Sequence, residues 1–467
     1  MFSVGDIYER LKAFRAKLSP LSNKKFYFVK VDVQSAFDTM PQEAVVRLME
    51  GITSETHYSL SKYVEIKPGV TTQKKGANGA LIPSKRWQHL ASASRDKSTF
   101  TQQLEKKLAP NKRHTIFVNS GVRRTLDTQT LHTLLKSHVE QNLVKIGKKY
   151  YRQRRGVPQG SVLSTTFCNY LYADLEHTHL SFLEEPDAHG NDETLLLRLI
   201  DDFLLITTNR PKAVRFVEVM HTGLPDYGVM VKPEKSLVNF DVAPAPSSPQ
   251  LPRCPTALFS YCGTLIDTSR LSLTKDPTGR HQARVSDSLT VEASRRPGHN
   301  FGRKTLNAFR LQSHMMFYDT AHNPPAVTFG NLRAAFAETA RKSCAYVACL
   351  PTERRPTEGV VVSALQKLVG AAFNLLTSRD RMARYPGYEC MISRTQVGLL
   401  ALGAFREVMR GKQMGYSGVL SWIDEETKAL QAGGGSRTNA NPARGDAEAL
   451  QEPGRAYQGL VLYSRGE

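Results

Sequence analysis

Apolar positions in this chain change their rhythm near its middle. Up to about residue 270 they form short alternating or continuous runs broken by glycine, proline and charge, the texture of strands. Beyond about residue 300 they recur at helical spacing over long stretches. The first pattern predicts a helix over 4–18, with Val4, Ile7, Leu11 and Phe14 on one side and Ser22 and Asn23 beyond it. A β-branched strand follows at 26–33, then a short helix at 43–49 after Pro41. Segment 52–123 is less regular, with a strand at 63–70, a polar, basic stretch over 71–98 and an apolar piece at 114–120. Leu131, Leu134, Leu135, Val139 and Leu143 predict a helix, and the basic, aromatic stretch after it predicts a strand leading to the glycine turn at 156–160. Leu163, Phe167, Leu171 and Leu175 give a helical stripe over 161–180. Two short strands, 195–200 and 203–207, form a hairpin with Asp201 and Asp202 at its tip. A helix at 212–224, strands at 229–231 and 237–240, a Pro- and Ser-rich loop at 241–255 and a hairpin at 257–268 complete this half. Four helices are predicted at 301–318, 331–350, 361–378 and 394–409. The composition after that predicts a disordered tail, placed at 426–467.

Composition narrows the class. A chain of 467 residues with 40% hydrophobic residues can build two to four domains. The formal charge of +20, with basic residues spread along the chain, fits a polyanionic partner such as nucleic acid. The six cysteines (168, 254, 262, 344, 349 and 390) lack the paired spacing of a zinc site and fit free thiols in a reducing compartment. No continuous apolar run reaches the length of a membrane span, so no membrane partner is expected. A cytoplasmic or nuclear protein follows from this and from a start without a signal-peptide core.

Three carboxylates carry the candidate chemistry. Asp32 ends the run FYFVKVD, and Asp201 and Asp202 interrupt LLLRLIDDFLLIT. Bare carboxylates are costly beside buried strands, and an Asp pair is also an ordinary turn sequence. Acids brought together this way suit divalent cations, which bind oxygen ligands and can clamp a triphosphate for in-line attack.

The order of three segments adds a resemblance. FYFVKVDVQSAFDTMPQ, RQRRGVPQGSVLSTTFCNYLYADLE and LLLRLIDDFLLIT resemble motifs A, B and C of reverse transcriptases, and most closely those of the telomerase catalytic subunit. YGVMVKPEKSLVNF resembles motif D, FSYCGTLIDT the primer grip, and NFGRKTLNAFRLQSHMMFYD the start of the telomerase thumb. The resemblance covers about residues 4–425. It implies an α+β right-hand polymerase fold with a mixed α/β palm and a helical thumb. On this division, 1–23 is an N-terminal helix, 24–42 and 145–268 the palm, 43–144 an insertion in the fingers, 269–294 a connector and 295–425 the thumb.

The resemblance also implies roles. Asp32, Asp201 and Asp202, with the Val33 carbonyl, would hold two Mg²⁺ ions. Lys235 would act near pyrophosphate, with Lys232 as its competitor. Phe37 would stand as the steric gate against a ribose 2′-hydroxyl. Gln159 and Gly160, in the turn GVPQG, would meet the template or incoming nucleotide, with Ser161 capping the helix that follows. Lys148, Lys149, Arg152, Arg154 and Arg155 would approach nucleic acid, as would Tyr261, Cys262 and Gly263 in the primer grip and Arg303, Lys304, Arg310 and His314 along the first thumb helix. Cys262 reads as packed rather than nucleophilic. Asp38 shares the nominal strand face of Asp32 but lies in the strand exit, which favours a structural hydrogen-bond role.

The activity implied is RNA-templated addition of deoxynucleotides to telomeric DNA 3′ ends. The partners would be a telomerase RNA template, a single-stranded telomeric DNA primer and accessory proteins. Its place would be the nucleus, at chromosome telomeres. Family members carry fingers motifs and an RNA-binding domain before motif A, which here begins near residue 26. The chain is therefore expected to correspond to the carboxyl-terminal part of such a subunit, binding primer–RNA duplex but extending it weakly alone. Two other readings remain at this level: a catalytically incomplete nucleic-acid-binding fragment and a non-telomeric reverse transcriptase.

Overall fold

A computed structural model describes residues 5–18, 24–68, 85–94, 99–110, 112, 115–186, 193–277, 285–292 and 296–433. Helix α1 (Gly5–Lys17) precedes strand β1 (Tyr27–Asp32), the single turn α2 (Ala36–Thr39) and helix α3 (Gln42–Ile52). Next come β2 (His57–Pro68), β3 (Lys85–Ser94), α4 (Phe100–Gln103), β4 (Ile116–Asp127) and α5 (Thr128–Glu140). The hairpin β5 (Leu143–Ile146) and β6 (Lys149–Arg152) leads into α6 (Ser164–His179). Strands β7 (Thr194–Leu199) and β8 (Asp202–Thr207), helix α7 (Arg210–Thr222) and strand β9 (Leu237–Val238) follow. A small sheet of β10 (Leu258–Tyr261), β11 (Thr264–Asp267) and β12 (Leu273–Lys275) comes before the helices. These are α8 (Pro297–Arg310), α9 (Pro325–Ala348), α10 (Glu358–Thr377), α11 (Arg379–Arg384), α12 (Arg394–Arg410) and α13 (Ser417–Gly433).

The central sheet runs β7-β8-β1-β9, and its pairings are antiparallel. Side chains alternate across a strand, so β1 serves two cores at once. Val29 and Val31 face one core with Phe203 and Leu205 of β8, against α6 and α7. Phe28, Leu204 and Ile206 face the other, which continues through α1 and the small sheet into the helical region. Phe28 and Phe259 meet there with ring centroids 5.1 Å apart. Asp32 and Asp202 fall on this second parity, beyond the point where apolar partners end.

The helical half packs α9 against α12 and α8, with α10 between α8 and α12. Phe309 and Phe336 stack at 4.8 Å, a pair contributing about 0.5–1.5 kcal/mol beyond simple burial. Its outline differs from the sequence expectation in three places. The first helix stops at Arg310, because Gln312 and Ser313 turn inward and Met315–Phe317 form a separate 3₁₀ turn. His314 therefore caps that turn instead of lying on the helix. The last helix, α13, runs to Gly433 and crosses the expected tail boundary at 426; the rest of that tail lies outside the described residues. The stretch Glu358–Arg384 is also long and apolar enough on average to cross a membrane by length and composition alone. Its stripe Val361, Leu365, Leu368, Ala372 and Leu376 is buried in the helical core.

The described residues of segment 52–123 are more regular than the sequence suggested; most of the polar, basic stretch 71–98 lies outside them. The segment forms a β3-β2-β4 sheet of long strands, and β4 is exposed at most positions. With little core face to serve, β3 and β4 carry no clean alternation. Inside the sheet, buried Glu65 pairs with Lys67 and Lys112, each at 2.6 Å. Burial would raise its carboxyl, but the two ammonium partners outweigh that and hold it low.

One polar junction ties the first helix to the helical half. Asp319, fully buried, accepts from Tyr8 Oη and, at 2.6 Å, from Lys12 Nζ of α1. It also accepts from the backbone N–H groups of Ala321 and Glu389. Arg15 donates to the His322 carbonyl alongside. Burial would raise the Asp319 carboxyl, but the bonds from Lys12, Tyr8 and Glu389 prevail and hold it below its ordinary value. A carboxyl lowered on folding stabilises the fold above its unfolded pKa, about 3.9, and that stabilisation is lost as pH falls through the lower folded value. Asp319→Asn is expected to cost about 2–3 kcal/mol at pH 7 in denaturant unfolding and to remove part of the acid-limb loss seen in the parent. An unchanged acid limb in the variant would show that this junction does not carry it.

Candidate active site

The three carboxylates converge through strand register. Asp32 and Asp202 are direct partners across β1 and β8, and Asp201 sits in the two-residue turn joining β7 to β8. Val33 N–H donates to the Asp201 carbonyl at 3.3 Å, closing the pair at the strand exit. Directly opposed residues have Cβ atoms about 4.5–5.5 Å apart, where like charges repel. The turn carries strain as well: Ile200, β-branched, has φ +60°. Arg198 braces it from below. Its buried guanidinium donates to Glu176 at 2.5 Å, to Asn169 Oδ1 at 2.9 Å and to the Ile200 carbonyl at 3.4 Å.

The charges around the acids are uneven. Lys235 Nζ donates to Asp32 Oδ2 at 2.8 Å, and this partner raises the lysine above its ordinary value. Burial pushes the Asp201 carboxyl up, with Asp202 and Asp32 adding to the effect and Lys235 opposing it. Burial also raises Asp202, with Lys30 opposing and Asp32 adding. Lys30 is two residues before Asp32 and so shares its strand face. That parity was legible in VKVD, but the lysine was not singled out; neither was Arg198, whose signal is a lone cation inside LLLRLI.

Among the described residues, no group of three or more His, Cys, Asp or Glu side chains stands in a ready-made ion-holding arrangement. The donor set nevertheless fits a hard divalent cation. It consists of oxygen ligands, three acids crowd one strand end, and two of them are raised by burial and by their neighbouring acids.

The turn before α6 lies against the segment that follows β1. Val157 N–H donates to the Phe37 carbonyl at 2.7 Å, and Gly156 N–H to that of Met40 at 3.1 Å. Gln159 Nε2 donates to both oxygens of Asp38 at 3.2 Å, which gives Asp38 a hydrogen-bonding partner and occupies part of the Gln159 amide. Gly160 is exposed, with φ +82°. Ser161 does not occupy the N-cap of α6: the helix starts at Ser164 with Leu163 in that position, and the Ser161 hydroxyl meets His138 Nε2 at 2.9 Å.

The small sheet approaches from the other side. Cys262 and Gly263, both at positive φ, make its tight β10–β11 turn. Tyr261 is fully buried and donates to the Asp202 carbonyl at 2.9 Å, so its ring lies inside rather than on an open nucleic-acid face. Cys262 Sγ lies 3.8 Å from Asp202 Oδ2, its thiol pushed up to about 12 by burial. Lys148, Lys149, Arg152, Arg154 and Arg155 are all exposed on or just after the β5–β6 hairpin. Arg303 and Lys304 share Glu292, at 2.8 and 3.1 Å, while Arg310 is exposed at the end of α8.

The family model of reverse transcriptase (RNA-dependent DNA polymerase) matches residues 113–240, which include the glycine turn and the Asp201–Asp202 hairpin. Telomerase reverse transcriptase of Mus musculus is 29% identical over 362 residues, 76% of this chain and 31% of that protein. Its counterpart in Bos taurus is 27% identical over 456 residues, 95% of this chain and 39% of that protein. The chain is thus similar to telomerase reverse transcriptases over much of its length, and it spans about a third of the length of these relatives. A solved telomerase from Candida albicans, in complex with a fragment of telomeric RNA, superposes with a TM-score of 0.55 at 15% identity, covering 91% of this chain and 53% of that one. The architecture is a mixed α/β right-hand polymerase fold.

The raised carboxyls make a testable statement about stability. An acid raised on folding favours its protonated form in the folded state, so ionisation at neutral pH subtracts stability and the loss grows as pH rises through the raised value. Asp201→Asn and Asp202→Asn should therefore each raise the melting temperature at pH 7 by about 1–3 °C and flatten its pH dependence. Calorimetry across about pH 4 to 8 checks this; melting below the parent in both variants would refute the crowding of charge described here.

Proposed function

We propose that this chain is the nucleotidyl-transferring part of a telomerase reverse transcriptase, adding deoxynucleotides to a telomeric DNA 3′ end on an RNA template. The observation that carries the reading is the Asp32–Asp202 cross-strand pair with Asp201 in the adjoining turn. Similarity to telomerase reverse transcriptases supports the choice within polymerases. On this reading the partners are a telomerase RNA, a single-stranded telomeric primer and accessory proteins, and the place of action is the nucleus, at telomeres.

Asp32, Asp201 and Asp202, with the Val33 carbonyl, would hold two Mg²⁺ ions. When bound, these supply positive charge to the transferring phosphate and lower the pKa of the attacking hydroxyl. The protein's own part is to place the acids. Strand register sets Asp32 against Asp202, Arg198 braces the turn, and Tyr261 fixes the backbone at Asp202. Lys235 carries its proton at Nζ beside Asp32 and is suited to meet charge developing on the leaving pyrophosphate. Phe37, on α2 five residues after Asp32, is the proposed barrier to a 2′-hydroxyl. Gln159 and Gly160 border the nucleotide space. The exposed hairpin cations, with Arg303, Lys304, Arg310 and the turn Cys262–Gly263, are the proposed contacts to primer and template phosphates.

Two measurements test the reading. In a catalytic subunit reconstituted with template RNA and primer, Asp32→Ala, Asp201→Ala or Asp202→Ala should each reduce primer extension by orders of magnitude while circular dichroism stays close to the parent. Near-normal extension by any one of them removes that residue from the metal role. Separately, binding of the chain to an RNA–DNA primer duplex should weaken steeply with salt. Replacing Lys148, Lys149 and Arg152 together by Ala should reduce the log–log slope by roughly 2–3. A slope unaffected by the triple change would place the phosphate contacts elsewhere.

A further inference from the structure

The proposed gate residue is packed only in part, against the edge of the core that holds Ala36 and Met40. Phe37 is only partly buried, on a helix of one turn that begins at Ser35, itself in the left-handed region at φ +50°. The segment Ser35–Met40 is anchored inward by buried Ala36 and Met40, and on two sides it also meets backbone that carries no side chain. On one side is Gly156, at φ +76°. A Cβ there would lie 2.3 Å from the Phe37 carbonyl oxygen and 2.7 Å from Asp38 Cα. On the other side is Gly228, at φ +65°, where a Cβ would lie 2.4 Å from the Thr39 carbonyl oxygen and 3.1 Å from Met40 Cα. Real Cβ atoms do not approach backbone that closely, so each glycine is required by its neighbour as well as by its dihedral.

Both flanks are themselves anchored. Gln42 Nε2 donates to the Gly156 carbonyl at 2.9 Å and to the Val139 carbonyl at 3.2 Å. The Gly228 loop is closed by reciprocal bonds between Leu224 and Val229, both at 3.0 Å, and by Tyr227 Oη donating to Asp174 of α6 at 2.8 Å. Gln34 N–H donates to the Met230 carbonyl at 2.8 Å, tying that loop to motif A just before the segment. Gly228 is far in sequence from Phe37 and belongs to neither the acid cluster nor the glycine turn.

We propose that Gly228 is a positioning residue for sugar selection. Pressed against Thr39 and Met40, it holds the Ser35–Met40 turn against Gly156 and thereby sets how far Phe37 reaches toward the nucleotide sugar. This rests on the polymerase reading above and on Phe37 as the gate. A displaced turn would move the ring away from the 2′ position, so discrimination against ribonucleotides falls while Asp32 and Asp202, held by the β1–β8 register, remain in place.

The test uses the subunit reconstituted with template RNA and primer, and measures kcat/KM for a deoxynucleoside triphosphate and its ribonucleoside counterpart in Mg²⁺. Gly228→Ala is expected to lower the deoxy-to-ribo ratio by about tenfold, mainly through the ribonucleotide KM. The matched control is Gly223→Ala. Gly223 lies five residues earlier at φ +81°, but its nearest neighbour to a Cβ is the Val229 carbonyl at 3.3 Å, not motif A. It should lose stability and keep the ratio within about twofold. Gln42→Leu, which loosens the opposite flank without inserting an atom into it, should shift the ratio in the same direction and supplies the answer if Gly228→Ala does not fold. Phe37→Ala separates the two levels. No change in its ratio would overturn the gate and this proposal with it. A change in Phe37→Ala, with none in Gly228→Ala or in Gln42→Leu, would overturn the positioning role alone. Equal shifts in Gly223→Ala and Gly228→Ala would do the same, since general strain would then suffice.

Discussion

Asp32 and Asp202 stand opposite one another because of a single antiparallel register, and much of the molecule serves to hold that unfavourable pairing. Slipping β1 against β8 by one residue would turn Phe28 out of one core and Val29 and Val31 out of the other. Two apolar faces therefore enforce a contact that charge alone would oppose. Cross-strand pairs of like sign are avoided where nothing compensates them. The sheet accepts the cost at its end, where the flanking positions are half-open, and places Lys30 and Lys235 near enough to moderate it.

The supports around that pair differ in kind. Arg198 acts through hydrogen bonds beneath the turn, Tyr261 through one bond to the backbone, and Gly156 and Gly228 through the absence of atoms. A carboxylate on a rigid strand and an aromatic ring on a one-turn helix need different kinds of support. The first is fixed by ladder hydrogen bonds, the second only by what abuts it. The helical half connects to this assembly through the apolar core shared with the small sheet and through the Asp319 junction to α1.

The acids were legible because they interrupt apolar runs, and the helices because their stripes are long. Other parts were not. Strand β3, within KRWQHLASAS, lacks a buried face to impose alternation and so reads as polar loop. The end of α8 was hidden because MMFY continues an apolar pattern that the chain uses in a 3₁₀ turn. Tyr261 looked like a surface contact because a tyrosine in a turn motif reads as one, while its burial depends on packing between separate sheets. The Gly228 contact joins residues that no local pattern relates, and glycines look alike in sequence whether they face solvent or backbone.

The β5–β6 hairpin has a different consequence. All eight of its strand residues are exposed, including Leu143, Ile146, Tyr150 and Tyr151, so it has almost no interior of its own. Two-stranded ribbons of this kind are marginal without a partner surface. Part of any attraction between its cations and a polyanion is then consumed in ordering the ribbon. Such a contact gains less affinity than its charge suggests and releases quickly. On the polymerase reading proposed above, in which a duplex would be held and advanced stepwise, a grip with a short residence time is an advantage that a stiffer, better-packed arm would forfeit.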